Sequence, residues 1–144
     1  MATGPTGPAA PTPLTTRSLV KFSGQTAPGN AYLADTGTAP IVQSNVFPFY
    51  PVPTAHNLFN LATNIGTFVV PANGAIIFEV VTGPAGNVVP GYSITYGPGD
   101  TGVNGVKSIL FGPVPLPPNE TFGLRVTAQG ISTPVLVSAV IESE

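Results

Sequence analysis

Apolar and polar residues alternate along this chain in short runs of strand length. The clearest run covers residues 121–127, in which Phe122, Leu124 and Val126 share one face and polar or small residues occupy the other. A period of two is typical of a β-strand that is buried on one side. Residues 56–63 are the one stretch compatible with a helical turn. Further strands are predicted at residues 18–22, 41–47, 67–70, 75–81, 92–96, 107–111 and 135–142.

The last of these runs, residues 135–142, is apolar on both faces. Its odd-numbered positions, beginning with Val135 and Val137, form one face, and Leu136 and Val140 lie on the other. A strand with two apolar faces is buried on both sides, either within its own chain or against another subunit. We expect Val135, Leu136, Val137 and Val140 to form a subunit contact, and two-sided burial inside one chain is an equal alternative.

Prolines and glycines separate the runs, with 18 prolines and 17 glycines in 144 residues. The pair Asn73-Gly74 predicts a tight turn that uses positive φ angles between two strands. Residues 83–87, 97–102 and 115–119 are predicted loops, and the three prolines of residues 47–53 exclude that segment from a central strand. About eight to ten short strands without a long helix predict an antiparallel β-sandwich or jelly roll over residues 17–144.

Residues 1–16 differ from the rest of the chain and form a Gly/Pro-rich connector arm with two collagen-type triplets. The arm has no apolar face to bury, so alone it is expected to be a polyproline-like tail. We predict that a neighbouring copy of the protein holds it. The residues assigned to this assembly arm are Gly4, Pro5, Thr6, Gly7, Pro8, Pro11, Pro13 and Leu14.

The surface of the protein is predicted to be poor in charge. Charged residues make up 7% of the chain and the net charge is −2, whereas an ordinary soluble domain has about 25% charged residues. Such a surface favours association between subunits. Without a basic patch, nucleic acid and anionic membranes are poor partners, and no apolar run is long enough to span a bilayer. Residues 1–13 lack the features of a secretory signal.

Candidate catalytic and metal-binding residues are few. The chain has no cysteine and one histidine, His56, so no metal site, cofactor or enzymatic activity is predicted. The tripeptide Asp-Thr-Gly, which aspartic proteases use to let two carboxylates share a proton, begins at Asp35 and again at Asp100. Because the second copy follows Gly-Pro-Gly and not an apolar strand, both are interpreted as surface loops. A dimeric aspartic protease remains the minor alternative.

Carbohydrate binding is a further alternative that rests on the tyrosines. If Tyr32, Tyr50, Tyr92 and Tyr96 were exposed, they could stack on sugar rings, and jelly rolls often carry lectin sites. The chain has no tryptophan and few polar side chains to bind sugar hydroxyls. We therefore favour tyrosines at strand ends or subunit contacts, with their hydroxyls in water.

Three segments resemble a known group of proteins. Residues 4–9, Gly-Pro-Thr-Gly-Pro-Ala, are similar to the repeats of bacterial collagen-like spore-surface proteins. Residues 66–80, with Phe-Val-Val-Pro-Ala-Asn-Gly leading into an apolar strand, resemble the strand–turn–strand of trimeric tumour-necrosis-factor/C1q-like jelly rolls. The apolar strand 135–141 stands where such domains place a strand near their threefold axis. The chain thus resembles the C-terminal domain of BclA-type exosporium proteins, or subunits of endospore appendage fibres.

The resemblance implies a homotrimer on the outer surface of a bacterial spore, with the arm emerging at one end. Two collagen triplets are too few for a triple-helical stalk, which leaves a short connector. Trimers whose arms dock into the next trimer would stack into a filament. The expected function is a structural fibre subunit, with itself and other spore-surface proteins as partners. A receptor- or glycan-binding head of a spore filament or phage tail fibre is the alternative.

Overall fold

The computed structural model describes residues 17–26, 33–35, 50–51, 54–83 and 86–144. These residues form ten β-strands and one turn of 3-10 helix, Gly102–Asn104. The strands are β1 Ser18–Gln25, β2 Ala34–Asp35, β3 Tyr50–Pro51, β4 His56–Asn64, β5 Ala75–Thr82, β6 Asn87–Tyr96, β7 Lys107–Ile109, β8 Val114–Leu116, β9 Thr121–Gln129 and β10 Leu136–Ser143.

The strands form two antiparallel sheets that pack as a jelly-roll β-sandwich. Sheet 1 has the order β2-β1-β10-β4-β7, with β8 beside β7 on the same edge of β4, and sheet 2 has the order β3-β9-β5-β6. Strands near the two chain ends, β1 and β10, pair along their whole length in the centre of sheet 1. Most connections cross from one sheet to the other, as the predicted fold class requires.

Side chains from the inner faces of both sheets build one apolar core. In β9 the alternation predicted from the sequence is confirmed, because Phe122, Leu124 and Val126 are buried between the sheets. Phe22 of β1 packs edge-on against Phe122 with ring centroids 6.5 Å apart. Burying a side chain of this kind contributes roughly 1.5–3 kcal/mol, so the core supplies most of the stabilisation of the sandwich.

The predicted helical turn at residues 56–63 is wrong, since these residues form β4 in sheet 1. Leu61 pairs with Ile141 but Leu58 pairs with Ser143, so β4 has one more residue than β10 between these two pairs. This β-bulge brings both leucines to the buried face although they are three positions apart. A spacing of three imitates a helical pattern, which explains the error.

Other boundaries differ from the sequence-based prediction. Residues 67–70 form only an isolated bridge, between Val69 and Thr101, and the loop predicted at residues 115–119 begins inside β8. The turn at Asn73-Gly74 is present but needs no positive φ. Instead, a Cβ on Gly74 would lie 2.9 Å from Cγ of Pro71, so close packing explains the glycine. The strand predicted at residues 41–47 lies outside the described residues.

Candidate assembly surfaces

The predicted trimer contact divides between the two faces of the C-terminal strand. Val135 and Val137 are 3% and 4% exposed and pack into the core of their own chain. On the other face, Leu136 is 68% exposed and Val140 is half-buried. Only Leu136 and Val140 can therefore meet a partner while the sandwich stays closed, and their role in a trimer remains a prediction.

The outer face of sheet 1 is a broad surface with little charge. Because side chains alternate along a strand, β1 presents Leu19, Lys21 and Ser23 there, beside Ser138 and Val140 of β10. Small or amide side chains, Ala62 and Asn64 of β4, continue this surface. Among the described residues of this surface the ionisable side chains are Lys21 and, opposite Leu19, Glu142.

A second apolar surface, the edge patch, lies beside β7 at the edge of sheet 1 and consists of Val103, Val106 and Leu110. Each is well exposed, Leu110 by 83%. The loop that carries the two valines is held by Asn64, whose Nδ2 donates to the carbonyl oxygens of Gly102 and Gly105 at 3.2 and 3.4 Å. Sequence reasoning missed this patch, although valines in a Gly/Asn-rich loop are a readable signal.

Charged side chains join the start of β1, which follows the arm, to the end of β10. Nη1 of Arg17 lies 3.1 Å from Oε2 of Glu142, and its guanidinium carbon lies 3.7 Å from the ring centroid of Phe59. Nε of Arg17 is 3.6 Å from Glu144, and Asn60 donates to Glu142 at 3.1 Å. We name Arg17, Phe59, Asn60, Glu142 and Glu144 the Arg17 cluster, which fixes the first described residue to the end of β10.

The second Asp-Thr-Gly has a structural role in a loop. Oδ2 of Asp100 lies 2.7 Å from Nζ of Lys107 and accepts from the backbone N–H of Gly97, and these hydrogen bonds lower the pKa of Asp100. A proton-sharing dyad needs the opposite shift in one of its carboxyls. Thr101 caps the 3-10 helix, and Gly102 packs against Gly66 with no space for a Cβ. Asp35, the first copy, lies in β2 and pairs with Phe22.

Two of the tyrosines proposed as sugar-stacking groups are in the core. Tyr92 and Tyr96 are fully buried, so the expectation that they are exposed, or that their hydroxyls meet water, is wrong for both. The Tyr96 hydroxyl donates to the carbonyl oxygen of Thr63 at 2.8 Å, and the Tyr92 ring stacks on Phe111 at 4.9 Å. Tyr32 lies outside the described residues, and Tyr50 pairs through its backbone with Phe122.

The chain matches no protein-family model and no curated protein sequence. In the part of the chain that the structure describes, no cluster of three or more His, Cys, Asp or Glu side chains could hold a metal ion. His56 is a half-buried residue at the start of β4, opposite Leu116. Within the same described ranges, no helix has the length and apolar character needed to cross a membrane.

The eight residues of the predicted assembly arm, Gly4 to Leu14, lie outside the described residues. The arm is attached at Arg17, which precedes the first residue of β1 and lies beside the last residues of β10. The arm therefore begins at the end of the sandwich where β1 starts and β10 finishes. Its docking into a neighbouring copy stays a prediction.

Proposed function

We propose that the protein is a structural subunit of a self-assembling surface fibre, built from homotrimers that stack through their N-terminal arms. The observation that carries the proposal is the pair of surfaces with exposed apolar side chains on one charge-poor sandwich. These are the outer face of sheet 1, around Leu136 and Val140, and the edge patch of Val103, Val106 and Leu110. A catalytic reaction is not part of the proposal.

The positions of the two surfaces favour a ring. The outer face is centred on β1 and β10, whereas the edge patch lies beyond β4 at the β7 edge of the same sheet. Contact between unlike surfaces is heterologous, and it closes into a ring when the rotation between subunits divides the circle. A trimer would bury the edge patch of each subunit on the outer face of the next and hide both surfaces from water.

The arm supplies the second, longitudinal contact. Sixteen residues precede Arg17, and at about 3.1 Å per residue in a polyproline conformation they reach roughly 50 Å. Because prolines already restrict the free chain, docking such a segment loses little conformational entropy. The resemblance of residues 4–9 to collagen-like spore-surface proteins supports the proposal that the fibre belongs to an endospore surface, the exosporium or an appendage. Other surface proteins are further candidate partners there.

Light scattering after size-exclusion chromatography, with negative-stain micrographs of the same material, tests the proposal. Wild type is expected to form fibres, and deletion of residues 1–13 is expected to leave trimers without fibres. Val140→Arg places a charge in the centre of the outer face and should give monomers. Ser93→Arg, on an exposed position of β6 in sheet 2, is the matched control and should assemble as wild type does.

Two results would reject the proposal. One is a wild-type protein that stays monomeric at every concentration tested. The other is fibre formation that proceeds unchanged after the arm is deleted, since the stacking contact would then lie in the sandwich alone.

A further inference from the structure

An open pocket lies at the end of the sandwich remote from the Arg17 cluster. It has a volume of about 490 Å³ and is lined by Ile65, Gly66, Thr67, Phe68, Pro134, Val135 and Leu136. This volume is in the range of sites that bind ligands, roughly 300–1,000 Å³. No charged side chain lines the pocket, so its occupant should be uncharged and largely apolar.

The pocket and the start of the arm are at opposite ends of the molecule. In the ladder of β1 and β10, Ser18 pairs with Ser143 beside the Arg17 cluster, and Gln25 pairs with Leu136 beside the pocket. About seven residue steps separate these two pairs, or roughly 23 Å of strand. Because β1 runs from Arg17 towards the pocket, the arm joins the sandwich at the end opposite the pocket.

We propose that this pocket receives the proline-rich arm of a second copy of the chain. The inference rests on the proposed function and identifies the receptor site for its stacking contact. Residues 1–16 contain no charged side chain, which matches the uncharged pocket. Phe68 and Pro134 provide the kind of apolar surface on which polyproline II segments dock, and the exposed Thr67 offers a hydroxyl to their unpaired backbone groups.

The spacing of the prolines specifies which edge of the arm enters. A polyproline II helix has three residues per turn, so in that conformation Pro5, Pro8 and Pro11 would share one edge. Thr6, Ala9 and Thr12 would share the neighbouring edge. The proline edge would present successive rings about 9 Å apart, and we assign this edge to the pocket wall formed by Phe68 and Pro134.

Docking at the opposite end makes the contact directional. When the subunits of a trimer all point the same way, their arms leave at one end and their pockets open at the other, so the contact repeats along one axis. The arm of the same chain is long enough to reach its own pocket only by turning back along the sandwich. That geometry would occupy the pocket with the subunit's own arm and remove this contact between copies.

Engineered cysteines test the assignment cleanly because the chain has none of its own. Copies with Thr67→Cys are co-expressed with copies that carry one cysteine in the arm, at Thr3, Thr6, Ala9 or Thr12, and a larger tag. A disulfide needs Cα atoms within about 7 Å, so mild oxidation reports close approach. We expect one or two arm positions to give mixed-copy cross-links at least fivefold above those formed with Ser93→Cys.

The outcomes separate the two proposals. Fibres whose arm cysteines show no preference for Thr67→Cys over Ser93→Cys would overturn the pocket assignment and leave the fibre proposal standing. A disulfide that forms within one chain, in a protein carrying both Thr6→Cys and Thr67→Cys, would also overturn the assignment. Absence of both fibres and cross-links would reject the proposed function itself.

Substitutions in the arm provide a second measurement that does not touch the folded domain. The triple change of Pro5, Pro8 and Pro11 to Ser should reduce fibre length and cross-linking to Thr67→Cys at least tenfold. The matched triple change of Thr6, Ala9 and Thr12 to Ser should alter neither by more than twofold. Equal effects of the two triple changes would refute the docking of the proline edge.

Discussion

Removal of the Tyr96 hydroxyl should destabilise the sandwich, whereas removal of the Tyr92 hydroxyl should not. Both tyrosines are on the inner face of β6 and both are fully buried. The Tyr96 hydroxyl lies 2.8 Å from the Thr63 carbonyl oxygen and 3.0 Å from its Oγ1, and it accepts from the backbone N–H of Lys107 at 3.3 Å. It therefore joins sheet 2 to β4 and β7 of sheet 1. The Tyr92 hydroxyl is buried without a hydrogen-bond partner.

The expected free energies follow from these contacts. Tyr96→Phe removes the hydrogen bonds and leaves buried groups of Thr63 and Lys107 unsatisfied, which costs about 1–3 kcal/mol. Tyr92→Phe removes a hydroxyl that loses its hydration on folding and forms no hydrogen bond in return. The free energy of unfolding of this variant should therefore rise by about 1 kcal/mol. The stacking of the ring at position 92 on Phe111 is unaffected by the change.

Urea denaturation of the three proteins at one matched concentration measures the difference. With an m-value of about 2 kcal/mol per molar urea, the midpoints of the two variants should differ by roughly 1–2 M. The fixed concentration matters because assembly would add to the apparent stability. Equal midpoints for the two variants, or a loss in Tyr92→Phe as large as that in Tyr96→Phe, would refute the assignment of the hydrogen bonds.

Three further predictions concern titration and packing. Burial, together with the charge of Glu142, raises the pKa of Tyr92. The unfolded chain therefore loses this proton at a lower pH than the folded one, and the free energy of unfolding should fall above pH ~10 by up to about 1.4 kcal/mol per pH unit. Tyr92→Phe should show a shallower fall over the same pH range. The Lys107 hydrogen bond lowers the pKa of Asp100, so the ionised carboxylate stabilises the fold above the unfolded pKa near 3.8, and this stabilisation is lost as the pH falls below it. Asp100→Asn should therefore flatten the acid side of a plot of melting temperature against pH. An unchanged acid side would contradict the Asp100–Lys107 ion pair. Gly102→Ala should cost about 1–3 kcal/mol, since its Cβ would lie 2.6 Å from backbone atoms of Gly66, whereas Gly97→Ala, with open space around it, should melt like the wild type.

The fold class was predictable because the signals that set it are local. Alternation in β9 reports directly which side chains face the core, and the apolar run of β10 indicates a strand without showing which face looks inward. β4 was missed because its bulge replaces alternation with a spacing of three, between Leu58 and Leu61. The first half of β6 was missed for a related reason. Val88, Val89 and Pro90 do not alternate, and a proline is tolerated there because β6 is an edge strand.

The surfaces were less predictable than the fold because they join distant parts of the chain. The pocket forms only when the loop after β4 meets the residues before β10, and nothing in the sequence near Phe68 indicates that Pro134 will be its neighbour. The apolar faces of the C-terminal strand were recognised, but which face looks inward depends on the register with β1 and β4. Tyr92 and Tyr96 were misplaced for the same reason, since their burial depends on the opposing sheet.

Most charged side chains that the structure describes form ion pairs within their own chain, which has a consequence for assembly. Arg17 pairs with Glu142 at the start of the arm, Lys107 with Asp100 beside the edge patch, and Arg125 with Glu79 across β9 and β5. Among the described residues, the outer face of sheet 1 carries a free charge at Lys21, while Glu142 is paired with Arg17. The pocket has no charged side chain in its lining.

Association through such surfaces should depend little on ionic strength, because screening weakens charge pairs and leaves apolar burial intact. We therefore expect trimers and fibres to persist between 0.05 and about 1 M NaCl, a range over which the Debye length falls from more than 10 Å to about 3 Å. Sulfate should promote assembly, since excluded salts strengthen apolar burial. Light scattering across a salt series measures both effects. Dissociation as NaCl rises would show that charged contacts hold the copies together and would contradict the assignment of these apolar surfaces.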